Sequence, residues 1–341
     1  VDMRIAEGTA GKVINITPHV RGPSSLSFTA RYNDKEELIG IARHSYQRFG
    51  GRSSSLITKA EFGAIFDLEA SYMDYALFST GLFFRTSVFL NDNFEFLFDD
   101  QAPIARFDKN QRGLAVTAGN IFSNSGEVGL TFERKKASFA FDSGIAPFAD
   151  VSDDVSLLRV SAEFDTTDRF AFSRSGTAIH VSYENAGRYL GGDVSFQRLH
   201  FQGDHYVSFA ERHTVSFGVR GGTGFNTDLP PYVEFVIGGP NTLIGYARDE
   251  LRGRKAVTVN AGYRYQILDF LVFTKRSVYA TLKLQAGDAW ESLIDDQRDF
   301  RFRYGGSVGI AVDTIIGPVN IDFAGGDGGR RHIYFSAGYD L

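Results

Sequence analysis

Alternation dominates this sequence. In TAIHVSYE, Ile179, Val181 and Tyr183 oppose His180, Ser182 and Glu184; in SVYATLKLQA, Val278, Ala280, Leu282, Leu284 and Ala286 oppose Thr281, Lys283 and Gln285. The same period runs through SLSFTARY, LLRVSAEF, AVTVNAGYRYQ and the end of the chain, where Ile333, Phe335, Ala337, Tyr339 and Leu341 share a face. Successive side chains of a strand point to opposite faces, so each segment has one oily face and one wet face. Helical spacing is hard to find anywhere, and the chain reads as all-β.

Two architectures bury such segments. A soluble sandwich turns the oily faces inward, whereas a transmembrane barrel turns them outward to lipid. Three features favour the barrel. The segments run about ten residues or more, against roughly five or six for soluble strands. Their wet faces mix Arg, Lys, Glu and His, as a hydrated lumen tolerates. Aromatic residues gather near segment ends, at Tyr32, Tyr72, Tyr75, Phe78, Phe94, Tyr265 and Tyr304, as interfacial girdles do. Composition agrees: 37 Gly, 32 Phe and 15 Tyr accompany a mean hydropathy of -0.16, the average of an oily outside and a charged inside. No stretch approaches the roughly 20 apolar residues of a membrane helix. Cysteine is absent, which removes disulfides, thiolate metal sites and cysteine nucleophiles, and a net charge of -5 argues against nucleic acid.

Segments fall at about 11–20, 24–33, 36–48, 53–67, 75–91, 104–121, 126–142, 155–168, 175–187, 192–209, 212–225, 256–268, 277–289, 303–315, 317–326 and 330–341. That predicts about sixteen antiparallel strands in one domain spanning residues 1–341, an even number as a closed bacterial barrel requires. The longest connection, about 226–255, far exceeds ordinary loops and is expected to be functional.

That connection reads VIGGPNTLIGYARDELRGRKAV. It resembles the long loop that folds into the lumen in the outer-membrane protein 85 superfamily, which includes outer-membrane assembly barrels, two-partner-secretion transporters and patatin-type autotransporters. Gly238, Gly239, Leu243, Ile244, Gly245, Tyr246, Leu251 and Gly253 fit its pattern of a Gly pair, an R-G-F/Y-like tip and a trailing L-x-G. FDTTDRFAFSRSGTAIHVSY (164–183), LKLQAGDAW (282–290) and SVGIAVDTIIGPVNIDF (307–323) resemble further family segments in family order. The chain departs from the pattern twice. Ile244 replaces the Arg of the loop tip, and Gln285, near Gly287, replaces the Asp that this Arg meets on the barrel wall. An unpaired charge in a crowded lumen costs several kcal/mol, roughly, so losing both is self-consistent. The pair of changes implies a loop held by packing of Leu243, Ile244 and Tyr246 rather than by an ion pair. The terminal IYFSAGYDL resembles the signal by which assembly machinery recognises outer-membrane barrels, carried by Phe335, Tyr339 and Leu341.

Motifs that elsewhere carry chemistry have plainer readings. Gly305-Gly306-Ser307-Val308-Gly309 matches G-x-S-x-G, but a hydrolase elbow needs a following helix, and here a strand continues through Ile310 and Val312. His200, His205 and His213 form no ligand cluster. Asp153-Asp154 and Asp295-Asp296 read as solvated connections, and Gly221-Gly222-Thr223-Gly224 lacks the lysine of a phosphate loop. Asp165 is expected to face the lumen. No catalytic residue, metal or cofactor is expected.

The resemblance implies a bacterial outer-membrane barrel, not itself an enzyme, that anchors or translocates a fused patatin-like phospholipase passenger. Upstream POTRA and passenger domains would lie outside this chain. The alternatives are a barrel-assembly factor and a passive porin. Implied partners are outer-membrane lipids and lipopolysaccharide, the assembly machinery during biogenesis and the fused lipase; a homo-oligomer stays open, and nucleic acid is excluded.

Overall fold

A computed structural model describes residues 2–8, 11–17, 23–33, 37–49, 53–75, 81–122, 125–272, 274–292, 299–314 and 317–338. The strands are β1 (Asp2–Gly8), β2 (Gly11–Thr17), β3 (Ser24–Asn33), β4 (Glu37–Gln47), β5 (Ser54–Gly63), β6 (Phe66–Asp74), β7 (Leu82–Asp99), β8 (Ala102–Phe122), β9 (Gly126–Gly144), β10 (Val151–Asp165), β11 (Gly176–Ala186), β12 (Phe196–Phe209), β13 (His213–Thr223), β14 (Phe235–Ile237), β15 (Leu251–Gly253), β16 (Lys255–Val272), β17 (Thr274–Trp290), β18 (Arg303–Thr314), β19 (Gly317–Gly326) and β20 (Arg331–Ala337).

Sixteen of them, β3–β13 and β16–β20, close an antiparallel barrel in which each strand pairs with its sequence neighbours and β20 returns to β3. The count of sixteen agrees with the sequence, but two strand assignments behind it do not. Segment 11–20 was expected in the barrel; β2 pairs instead with β1 in a separate two-stranded sheet. Segment 53–67 was expected to be one strand; it is two, because β5 and β6 form a tight hairpin through Ala64 and Ile65. That turn carries no polar punctuation beyond Gly63 at φ +153°, so periodicity ran straight through it.

The alternation sorts as a membrane barrel requires. Phe28, Leu284, Val308, Phe323 and Ile333 are exposed on the outer wall. The inner wall carries ion-paired side chains: Arg159 lies 3.0 Å from Glu133 and 2.8 Å from Glu184. At the end of the barrel away from the long loop, His213 bonds the Tyr263 hydroxyl at 2.7 Å and stacks on Phe209, an aromatic rim. Phe94 departs from the girdle expected of it. It is buried with Ile39, Ile41 and Ile65, because β7, at 18 residues, outruns the shorter strands beside it and leans over their ends. Phe78, Tyr339 and Leu341 lie outside the described residues.

The largest apolar cluster is not in the wall alone. It lies where the 224–254 segment meets the inner faces of β7–β12, β16 and β17, joining Leu229, Tyr232, Phe235, Leu243, Tyr246 and Leu251 to wall residues such as Phe107 and Phe139.

Candidate functional site

The segment enters the lumen as a hairpin. Phe235 pairs with Gly253, Val236 with Arg252 and Ile237 with Leu251. Two glycines let it lie flat on the wall. A Cβ on Gly253 would sit 2.1 Å from the Trp290 carbonyl oxygen, and one on Gly222 would enter the Phe235 ring at 2.2 Å. Beyond the hairpin, Gly238 (φ +134°) and Gly239 (φ +85°) turn the chain, and the Thr242 hydroxyl both accepts from the Gly238 N–H at 2.8 Å and donates to its carbonyl at 2.9 Å.

The tip is Leu243-Ile244-Gly245-Tyr246, whose three side chains are fully buried. The wall grips its backbone at two points. Gln285 on β17 accepts from the Ile244 N–H at 2.6 Å and donates to the Pro240 carbonyl at 3.2 Å. Tyr334 on β20 accepts from the Gly245 N–H at 3.1 Å and donates to the Tyr246 carbonyl at 2.6 Å. Between these grips the tip rests on bare backbone. A Cβ on Gly305 would lie 1.8 Å from the Ile244 carbonyl oxygen, and one on Gly245 (φ +89°) 2.6 Å from the Gly326 nitrogen. Gln285 thus does by amide hydrogen bonds what a carboxylate would do with an arginine. Gly287 has a different part: a Cβ there would meet the Val257 carbonyl of the neighbouring strand at 2.1 Å.

Packing alone does not hold the loop, contrary to the sequence expectation; its ion pairs sit away from the tip. Arg252, on the hairpin, lies 3.1 Å from Glu95 of β7 and 3.0 Å from Glu234, and donates to the Pro231 carbonyl at 2.9 Å. Arg330, just before β20, donates from Nε and Nη2 to Glu250 at 2.9 and 2.8 Å. The other Glu250 oxygen accepts from the Ala247 N–H at 2.7 Å. Arg330 also lies 4.2 Å from the centre of the Tyr246 ring, whose hydroxyl donates to Asp327. Burial, then this bond to Asp327, raises the Tyr246 phenol to about 12. Burial and the bond from its hydroxyl to Asp153, at 2.6 Å, push Tyr232 upward as well.

Other sequence candidates fall elsewhere. Ser307 lies inside β18 and bonds Asp322 at 3.3 Å, while Lys283 pairs with the same carboxylate at 2.9 Å, a cross-strand network. His200 shares the lumenal side with His180, whose ring lies 5.8 Å away; His205 bonds Thr177 at 2.8 Å. Asp153-Asp154 belong to β10 rather than to a connection, and Asp153 anchors Tyr232; Asp295-Asp296 lie outside the described residues. Asp165 accepts from the Thr167 N–H and hydroxyl, both at 2.7 Å, and so caps its own turn. In that turn burial works against ionisation of Asp168, but the N–H donors of Arg174 and Ser175 prevail and hold its carboxyl below the ordinary value. Phe335 is on the outer wall of β20, 5.3 Å from the Tyr32 ring.

Sequence reasoning missed Tyr334, Arg252, Glu95 and Arg330. One signal existed: Arg252 and Glu250 are charges in a segment whose apolar residues are all bound for the interior, so each needed a partner. The partners could not be named, being 157 residues away for Arg252 and 80 for Glu250.

The profile of the Omp85 superfamily domain matches residues 48–341. No curated protein matches by sequence. Among solved structures, BamA from Haemophilus ducreyi lacking POTRA domains 1–3 is similar at TM-score 0.76 and 15% identity, covering 98% of this chain and 74% of that one. CdiB from Escherichia coli is similar at TM-score 0.67 and 12% identity, covering 98% and 66%. CdiB from Acinetobacter baumannii reaches 0.59 at 11%, covering 98% and 64%. The chain therefore spans only part of these proteins, less than two thirds for the two CdiB chains.

Proposed function

The chain belongs to the Omp85 superfamily and is a bacterial outer-membrane barrel; on that premise we propose that it passes polypeptide into or across the membrane as a gated conduit, not as a catalyst. The observation that carries this is the attachment of the lumenal loop to β20, the strand that closes the barrel. Among the described residues β20 and β3 share two register pairs, Ser336 with Asn33 and Ala337 with Tyr32, whereas β3 and β4 share ten. A plug fastened beside the shortest ladder among the described residues can move together with it. A passive pore has no use for a loop tied down by two buried arginines.

The test is depletion of this protein in its own cells, followed by quantitative proteomics of membrane and secreted fractions. A defined set of proteins is expected to leave those fractions and accumulate in the periplasm. Unchanged fractions, with a large steady conductance from the purified barrel, would favour a porin.

A fused patatin-like phospholipase is the finer reading. Its support is the arginine-free tip at Ile244 with Gln285 opposite, and the coding sequence upstream of Val1 tests it. Loss of membrane barrels rather than secreted proteins would point to assembly. Lipid contact along the exposed apolar wall, and recognition of the β20 edge at Phe335 by assembly machinery, fit either case.

A further inference from the structure

Arg330 touches three segments that are far apart in the chain. Its own position opens β20, the seam strand. Glu250 belongs to the lumenal loop. Its third partner is Asp100, 3.1 Å away in the turn between β7 and β8, and Gln101 of the same turn donates to the Gly328 carbonyl at 3.5 Å. In the barrel order β20 and β7 are separated by β3, β4, β5 and β6. The β7–β8 hairpin therefore crosses above those four strands, seated on Ile39, Ile41 and Ile65 through Phe94 and Phe96, and reaches the far side of the seam. The seam is bridged from above where its own ladder, among the described residues, is short.

We propose that Arg330 is a positioning residue that latches the seam, holding the β19–β20 hairpin at once to the lumenal loop through Glu250 and to the β7–β8 hairpin through Asp100. This deepens the reading of the seam as a gate. The guanidinium suits the role because its planar fork can serve Glu250 from two nitrogens while its other donors stay available. Arg330 and Glu250 are both nearly buried, so removing either strips the other of its buried counter-charge. Asp100 is largely exposed and contributes less. Arg252 is the natural control: it is equally buried and ties the same loop to Glu95 of β7, and among the described residues its ion-pair partners, Glu95 and Glu234, lie off the seam hairpin.

The chain has no cysteine, so an introduced pair reports only on itself. Tyr32→Cys with Ala337→Cys, register partners across the seam, is placed in the barrel in lipid vesicles without cargo, and disulfide formation is timed after mild oxidation. Folding is checked by gel mobility before and after heating. Arg330→Gln and Glu250→Gln are expected to slow seam closure by about tenfold, the worth of one charge-assisted hydrogen bond, and to be non-additive together. Arg330→Lys restores part of the rate, and Arg252→Gln leaves it within about twofold. Closure at the parent rate in folded Arg330→Gln overturns the latch, and so does equal slowing by Arg252→Gln. Should Arg330→Gln not fold, Asp100→Asn decides, since its exposed site does not threaten folding: a slowed seam supports the bridge and an unchanged one refutes it. Because no client is present, a failed latch leaves the proposed conduit standing, and a failed conduit leaves the latch measurable.

Discussion

β7 and β8 share eighteen register pairs; β20 and β3 share two among the described residues. Yet both walls hold the same loop. On the β7 side the loop meets a continuous ladder, with Phe107 and Phe139 stacked at 4.7 Å behind it and Glu95 reaching Arg252. On the β20 side it meets a strand of seven residues, held by Tyr334 and Arg330. Backbone ladders are cooperative and indifferent to single side chains, whereas a contact built on a few side chains can be released by changing one of them. The difference separates scaffold from moving part.

Arg252→Gln breaks the comparison on the scaffold side and has the largest expected effect. Taking the guanidinium away from buried Glu234 and from Glu95, which keeps Lys109 at 2.7 Å, costs about 3–5 kcal/mol. The midpoint of urea unfolding in detergent micelles falls, while the seam disulfide forms as before. A parent-like midpoint would mean that the scaffold does not depend on this pair.

Tyr334→Phe acts on the seam side. It orphans the Gly245 N–H, at about 1–3 kcal/mol when buried, while the Tyr246 carbonyl keeps only the Gly239 N–H at 3.0 Å. Global unfolding is expected to shift less than for Arg252→Gln, while brief conductance openings in planar bilayers become more frequent. The comparison fails if the openings are unchanged.

Gly305→Ala probes the bare backbone between the two grips. A methyl 1.8 Å from the Ile244 carbonyl must displace the tip, at a cost of about 1–3 kcal/mol. Protease sensitivity confined to 238–251, with the barrel intact, is the expected pattern. Gly306→Ala, where the nearest contact is 3.0 Å from the flexible end of Leu284, is expected to be mild by comparison.

The smallest effect is alkaline. The Tyr246 phenol is raised in the folded barrel to about 12 from an unfolded value of 10.0. Below the unfolded value both states are neutral and its contribution is complete; as pH rises through the folded value the contribution is lost. Tyrosinate absorbance should therefore show a late-titrating component that shrinks in Tyr246→Phe while the share of Tyr232 persists, with loop protease sensitivity rising over the same interval. A late component unchanged by Tyr246→Phe would show that Tyr246 is not held by Asp327 in solution.

Strand content and face assignment were legible because they depend on local alternation, and one interval too long to be a turn marked a functional loop; its place in the lumen was implied by the family resemblance. Leu282 and Leu284 could be placed outside and Lys283 and Gln285 inside from their order alone, and the structure has them so. Where the signal was not local, reading failed. β1 and β2 alternate as barrel strands do, and only their pairing excludes them. Ala64 and Ile65 make an apolar turn that looks like strand. Phe94 sits at a strand position that looks like a girdle, until the overhang of β7 buries it.

The period of two and the length of the segments together determined a barrel with an oily outside and a wet inside. Each of those properties is written in neighbouring residues, through the fixed geometry of the extended chain. The grips were decided by tertiary structure alone. Arg252 with Glu95, Arg330 with Glu250 and Asp100, and Tyr334 with the tip join residues brought together only when the barrel closes. A buried charge in the sequence states that a partner must exist; only closure of the sheet says which one.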